Sequence, residues 1–326
     1  MGETTGRITL WGIEVFLATA DEGSISAAAR RLGASPSGVS QQLTNLETAL
    51  GTSLMNRSIR PVVLTPAGET FRRRAATIAY EAAQARAEVA AQDLTHLTDF
   101  RLGMIEDLDA DVTPRLLADM AHELRNCQFL LETEASHRLF DHLDTRTLDV
   151  IVAADLGAAA DWMEVHPLME EPYVVAAPTG YVAPGENVLD ALRRLPLIQY
   201  TGRHHMGRQI STHLARQNLQ LAHRFELDSY HAIMSMVASG AGWTILTPLA
   251  LRRAHRFRDE ADVLPLPFAP LSRRISLNAR RGVLKEMPRA LAVRLRSLLS
   301  EMIVTPAIER HEWLEGSLKL LDDQVP

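Results

Sequence analysis

Four small polar residues, Ser37, Ser40, Gln41 and Thr44, fall on one stretch of helix-forming sequence and are suited to touching the edges of DNA bases. A glutamine bonds adenine through two hydrogen bonds at once, a pairing worth about 1–3 kcal/mol of discrimination against a wrong base. Arg30, Arg57 and Arg60 flank them. Guanidinium groups there suit phosphate oxygens or a minor groove, contacts that set register and salt dependence rather than sequence. The alternative for Arg30 or Arg57 is a plain ion pair with a carboxylate such as Glu47.

Other chemistries find less support. His137 and His142 are five apart, off the i, i+4 spacing of a helical metal pair, and no H-E-x-x-H run accompanies them. No metal site and no cofactor is expected. Gly240-Ala241-Gly242 follows a helix-like stretch and precedes a strand-like one, the reverse of a dinucleotide loop. There is no G-x-S-x-G element and no P-loop, so no catalytic residue is nominated. Cys127 is the single cysteine, which excludes an internal disulfide and fits a reducing compartment.

The elements that must position these residues follow from periodicity. Leu10, Ile13, Phe16 and Leu17 form one helical stripe, ended near Glu22-Gly23. Ser24 opens a second helix through Ala27, Ala28, Ala29 and Leu32, and Gly33 stops it. Ser35 is an N-cap and Pro36 a first helical residue for a third helix, with Val39, Leu43, Leu46 and Leu50 inward and Gly51 at its end. Two helices joined by Gly33-Ala34 make a helix-turn-helix pattern. Arg57–Leu64 suits a short hairpin wing, and Thr65-Pro66 starts a further helix. In that helix Phe71, Ala75, Ile78, Ala82, Ala85 and Val89 alternate spacings of four and three, a heptad seam that suits dimerisation. Packing on its own domain is the other possibility. Beyond residue 97 apolar strand-like runs alternate with helical ones: Phe100–Ile105, Phe129–Glu134, Leu148–Ala153, Tyr173–Ala177, Leu197–Tyr200, Phe225–Leu227, Trp243–Leu246 and Ile275–Ala279. Such alternation predicts α/β sheets with ligands beyond the strand ends.

Charge divides along the same line. The 326 residues carry a net charge of -6, which taken whole argues against nucleic acid. Yet Ser24–Arg74 holds seven arginines against Glu47 and Glu69, a local charge of +5. The uncharged run Ala232–Leu251 is long enough to span a bilayer, but Gly240, Gly242 and Pro248 make it a helix, a turn and a strand instead. Met1–Thr9 has no apolar core and does not read as a signal peptide. A cytoplasmic protein without membrane contact is expected.

The segment Ser24-Ile25-Ser26-Ala27-Ala28-Ala29-Arg30-Arg31-Leu32, with Val39-Ser40-Gln41-Gln42, Leu46-Glu47, Leu50-Gly51, Leu54-Met55-Asn56-Arg57 and Leu64-Thr65-Pro66-Ala67-Gly68, resembles the LysR-type transcriptional regulators. Thr147–Val152 and Val237–Gly242 resemble that family's effector-domain signatures. Departures fall at Pro36-Ser37, at Gln41 where the family often has arginine, and at Met55 where it often has phenylalanine. They bear on base contacts more than on fold. The resemblance implies a winged helix-turn-helix over 1–66, a dimerising linker helix over 67–96, and a two-lobed α/β effector domain over 97–303 resembling periplasmic binding proteins. Lobe I would comprise 97–172 and 249–303, lobe II 173–248, the lobes joined by two crossover strands. A C-terminal extension over 304–326, amphipathic and helical, would follow. DNA contacts are expected from Arg30, Ser35, Pro36, Ser37, Ser40, Gln41, Thr44, Arg57 and Arg60.

The family's ligand site begins after the first effector-domain strand, which here is Glu106-Asp107-Leu108-Asp109-Ala110-Asp111, four acids in six residues. Facing it across the implied cleft stand Thr201, Arg203 and His204, with Ser229 and Trp243 as further lining. Glu106 and Asp107 against that basic rim would suit an effector bearing an amine, or an amine and a carboxylate. The alternative is that the acids serve the macrodipole of the helix near Pro114. Expected partners are double-stranded promoter DNA, a small-molecule effector and copies of the same chain, as a homodimer through the linker helix and a homotetramer, with RNA polymerase a further candidate. Competing functions are an α/β enzyme or solute-binding protein with an accessory helical domain, and an architectural DNA binder without effector. The first lacks a catalytic constellation; the second leaves the two-lobed domain without a role.

Overall fold

The computed structural model describes residues 7–90 and 97–322. The chain divides into two compact units, Met1–Asp93 and Leu94–Pro326. The first unit contains α1 (Leu10–Glu22), α2 (Ile25–Arg31), α3 (Pro36–Leu50), β1 (Met55–Asn56), β2 (Val63–Leu64) and α4 (Pro66–Ala90). Hydroxyl oxygens of Thr9, Ser24 and Ser35 accept from the backbone N–H groups of Gly12, Ala27 and Gly38, completing the first turns of α1, α2 and α3. Gly23 and Gly51 end α1 and α3 at φ of 60° and 67°, where a Cβ would strain the backbone. The apolar stripes then meet: Phe16, Val39, Leu43, Leu46 and Leu54 are buried together. The hairpin pairs Met55 with Leu64 and Asn56 with Val63, so residues 57–62 form its loop rather than its strands.

In α4 the expected seam divides. Phe71 meets Phe16 edge-on at 5.2 Å between ring centroids, and Ala75 is fully buried. Both serve the core of their own unit, which corrects the expectation that they form a dimer seam. Ile78 is 45% exposed, and Ala85 is exposed as well. The Val89 side chain and the last linker residues, 91–96, lie outside the described residues.

The second unit has two lobes. Lobe I begins with β3 (Asp99–Met104), α5 (Val112–Glu123), β4 (Gln128–Thr133), α6 (Ser136–Asp144), β5 (Val150–Ala154) and β6 (Met163–Pro172). Lobe II holds β7 (Val174–Pro178), α7 (Val188–Leu192), β8 (Leu197–Tyr200), α8 (His205–Arg216), β9 (His223–Leu227), α9 (Tyr230–Ala238), β10 (Thr244–Leu246), α10 (Pro248–Arg253) and β11 (Ala261–Pro265). The chain returns through β12 (Ser272–Arg280), α11 (Met287–Leu299), α12 (Thr305–Arg310) and β13 (Lys319–Leu320). Lobe I is one sheet in the order β13-β6-β12-β5-β3-β4, parallel across β4, β3 and β5 and antiparallel beyond. In lobe II, β10-β7-β11 and β8-β9 are linked by the Leu197–Trp243 bridge. Each lobe has its own apolar core. The two crossings, β6 into β7 and β11 into β12, lie side by side, with the Tyr173 N–H donating to the Leu271 carbonyl at 2.8 Å.

Two expected boundaries are corrected. Residues 249–265 belong mainly to lobe II, because β11 pairs with β7 and Ala250, Phe257 and Ala261 pack in the lobe II core, although Leu249 is buried in the core of lobe I. The C-terminal extension is not one helix. After the short α12 comes a 3-10 turn at Glu312–Leu314, then Gly316 at φ 79°, and β13 pairs with β6 while Leu314 and Leu318 enter the lobe I core. Residues 323–326 of that extension lie outside the described residues.

The start of α8 rests directly on the chain leaving β8. A Cβ on Gly207 would overlap the carbonyl oxygen of Thr201 and come within 2.6 Å of that of Tyr200. Gly207→Ala is therefore expected to destabilise the protein by about 1–3 kcal/mol, as overpacking against rigid backbone does, read as a lowered urea midpoint with an unchanged slope.

Candidate functional site

The first unit turns one polar face outward. Along α3 the residues Val39, Leu43 and Leu46 are buried, which leaves Pro36, Ser37, Gln41 and Thr44 exposed and Ser40 partly so. Ser35 is committed to capping, its Oγ accepting from the Gly38 N–H at 3.1 Å and lying 3.2 Å from the Ser37 hydroxyl. Gln41 donates to Asn45 Oδ1 one turn on at 3.0 Å, which extends its amide along the helix. Arg30 and Arg60 are exposed, and among the described residues neither has an ion-pair partner.

Arg57 is different. Its guanidinium pairs with Glu47 at 2.5 Å and donates to Thr44 Oγ1 at 3.2 Å. Glu47 Oε1 also accepts from the backbone N–H groups of Leu54 and Met55, at 2.8 and 3.2 Å. One carboxylate thus ties α3 to the first strand of the hairpin. Arg57 thus takes the ion pair with Glu47 that was the alternative to a DNA contact, with Thr44 partly engaged.

In the second unit, a cavity of about 50 Å³ lies between the lobes. As it stands, that is room for a water or two rather than for an organic ligand. Glu106, Asp107 and Glu134 line it from lobe I, and Tyr200, His204, His205 and Tyr230 from lobe II. Tyr200 and Tyr230 stack at 5.2 Å with 19° between their planes. Burial pushes the Tyr200 phenol up to about 12, so it stays protonated. Burial, then the Arg208 charge, lowers His205 below the usual imidazole range and keeps it neutral at pH 7.

Arg273, at the start of β12, closes the back of this cleft. It is buried, with Nε donating to Glu171 Oε1 at 2.7 Å, Nη2 to Thr247 Oγ1 at 3.1 Å, and Asp107 Oδ2 at 3.3 Å. Burial works against its charge, but Glu171 and Asp107 outweigh it and hold the guanidinium cationic. The other Glu171 oxygen accepts from the Leu249 N–H at 3.1 Å. Asp107 Oδ1 is buried and has no hydrogen-bond partner, in a side chain only 4% exposed. A buried carboxylate oxygen without a donor is expensive, and Asp107 is one of the residues around the cavity.

Of the expected effector residues, Glu106, Asp107 and His204 are brought together here. The others are corrected. Thr201 is buried and donates to Glu226 Oε1 at 2.7 Å; Arg203 is exposed outside the cavity lining. Ser229 caps α9 through its bond from the Ala232 N–H, and Trp243 is fully buried with Nε1 donating to the Leu195 carbonyl. Sequence reasoning missed Arg273, Glu134, Tyr200 and Tyr230. The two tyrosines sit where a strand ends and a helix begins, a position that favours ligand contact; Arg273 carried no local signal. Among the described residues no group of three metal-ligating side chains converges, and no helix is long and apolar enough to cross a membrane.

The fold has clear counterparts. A family model described as the LysR substrate binding domain matches residues 95–301, and one described as bacterial regulatory helix-turn-helix protein, lysR family, matches residues 10–69. A probable hydrogen peroxide-inducible genes activator from Mycobacterium avium is 34% identical over 201 residues, 61% of this chain; the match spans 64% of that relative's length. Among solved structures, a mutant of OxyR from Corynebacterium glutamicum aligns over 93% of this chain and 96% of its own, with a TM-score of 0.63 and 23% identity. Full-length CbnR complexed with its target DNA aligns over 90% and 99%, at 0.56 and 18%. At such identities these structures speak for the fold alone.

Removing the guanidinium leaves Glu171 as an uncompensated buried charge. Arg273→Met is expected to cost about 3–5 kcal/mol in a urea titration, with part of the loss recovered when Glu171→Gln is added.

Proposed function

The chain belongs to the LysR family of bacterial transcriptional regulators and not to a family of enzymes, and from that premise we propose that it binds promoter DNA and changes that binding when a small organic cation enters the cleft between its lobes. In this reading residues 1–66 contact DNA, 67–96 dimerise and 97–303 hold the effector. The observation that supports the DNA half is the outward polar face of α3, framed by Arg30 and Arg60, whose apolar residues are already spent on the core. Ser37, Ser40 and Gln41 meet base edges; Arg30 and Arg60 meet phosphates. Dimerisation uses the exposed Ile78 side of α4, and two dimers form a tetramer.

The ligand half is carried by the unpartnered Asp107 oxygen. Glu106, Asp107 and Glu134 face the cavity, its one guanidinium is already held by two carboxylates, and His205 is neutral. An amine supplies the missing donor and the missing positive charge, and the stacked tyrosines offer a π face to it. A carboxylate on the effector is less well supported, since the Arg203 side chain does not line the cavity. Because the cavity is only about 50 Å³, an organic effector requires the lobes to part about the β6 and β12 crossings.

The names of several relatives suggest a peroxide response instead. A thiol mechanism needs a thiolate, and a disulfide within one chain needs two cysteines. Cys127 is the single cysteine of the sequence, and burial, with Asp99 and Asp149 adding to it, pushes its thiol up to about 11. We therefore favour the amine.

Fluorescence anisotropy on the DNA upstream of the gene, at several salt concentrations, tests the DNA half. Gln41→Ala is expected to weaken the specific site by about 1–3 kcal/mol without changing the salt slope. Arg30→Gln is expected to weaken all sequences and lower that slope by about one. Calorimetry of the full chain with primary alkylamines and their alcohol counterparts tests the ligand half. Amines bind, alcohols do not, and Glu106→Gln or Glu134→Gln weakens amine binding about tenfold; equal binding of alcohols contradicts the reading.

A further inference from the structure

A second cavity, of about 180 Å³, lies between α10, the segment following it and the C-terminal segment, and shares no lining residue with the cleft. Its walls are apolar: Leu251, Phe257, Val263, Ile303 and Leu314. Its charged groups are Arg252, Arg258 and Arg310, and no carboxylate lines it. Arg252 pairs with Asp111 at 3.0 Å and Arg310 with the exposed Asp259 at 3.3 Å, whereas Arg258 has no ion-pair partner among the described residues. His311 also lines it, and burial, then Arg310, lowers that imidazole, so it adds no positive charge at pH 7.

Three guanidinium groups around an apolar hollow stand out in a chain of net charge -6. Ile303, Pro306, Ala307, Arg310, His311 and Leu314 all come from beyond residue 301, where the match to the substrate-binding family model ends. The C-terminal segment, docked by β13 on β6, therefore completes a pocket that the matched core alone does not enclose. The volume is below the roughly 300 Å³ of a drug-sized cleft, so the occupant is a short chain or a single ring.

We infer that this cavity is a binding site for a small monocarboxylate with an apolar body. The tail lies against Phe257 and Leu314, and the carboxylate meets Arg258 and Arg310 at the rim, where a planar fork pairs with two oxygens at once. The site is distinct from the cleft but not remote from it. Helix α10 carries Arg252 into this cavity and, one residue on, Arg253, which donates to the Glu106 carbonyl at 2.8 Å and pairs with Asp109.

Titration calorimetry of the full chain with octanoate, and with octan-1-ol as a neutral counterpart, tests the site. The expected result is saturable binding of one octanoate per chain, with octanol weaker by about tenfold. Arg258→Gln combined with Arg310→Gln brings octanoate down to the level of octanol, and Ala307→Phe, which fills the hollow, abolishes binding while thermal unfolding confirms a folded protein. Octanoate binding no tighter than octanol, or binding that survives Ala307→Phe, would overturn the proposal.

Discussion

Arg273 sits where the two lobes exchange strands, and its buried ion pairs are the constraint on which the second unit turns. Taking a guanidinium and two carboxylates out of water costs several kcal/mol per ion, and only close, hydrogen-bonded geometry offsets it. Glu171 from β6, Arg273 from β12 and Asp107 from the turn after β3 meet that demand with contacts of 2.6 to 3.3 Å. Thr247 and the Leu249 N–H bring the start of α10 into the same cluster. Both crossing strands, lobe I and the last helix of lobe II are thus tied at one point. In the proposed function, a ligand that changes how Asp107 is satisfied would act on the joint between the lobes.

A comparable economy holds in the first unit. Glu47 accepts from two backbone N–H groups at the hairpin and pairs with Arg57, so that helix and wing are tied through one carboxylate. That bond engages Arg57 and fixes the frame from which Gln41 and Ser37 project. Charge follows the same division: the basic window Ser24–Arg74 belongs to the DNA-facing unit, and the excess acid belongs to the rest.

Much of this was legible in the sequence because it is local. Ser24 and Ser35 announce helix starts by hydroxyls that act within three residues, Gly51 announces a helix end by its missing Cβ, and the spacing of Val39, Leu43 and Leu46 shows the buried face of α3 directly. What escaped was non-local. β6 reads poorly as a strand because Pro167, Pro172 and three glutamates interrupt it. The fold absorbs Pro167 at a register shift opposite Ile275 and Ser276, and buries Glu171 against Arg273. Arg273 looked like any strand-flanking arginine. Its partners lie 102 and 166 positions away, and nothing short of the folded topology brings them together. Trp243 and Ser229 failed for the opposite reason: both have strong local chemistry, and the fold spends it on the core and on a cap.

The central claim is that a positive charge arriving beside Asp107 alters how the protein holds DNA. The most direct measurement is the affinity of the full chain for the DNA upstream of its gene during titration with primary amines, isosteric alcohols and hydrogen peroxide in parallel. A saturable change in affinity is expected with an amine, none with its alcohol and none with peroxide. A response to peroxide that is lost in Cys127→Ser, or an equal response to amine and alcohol, would contradict it.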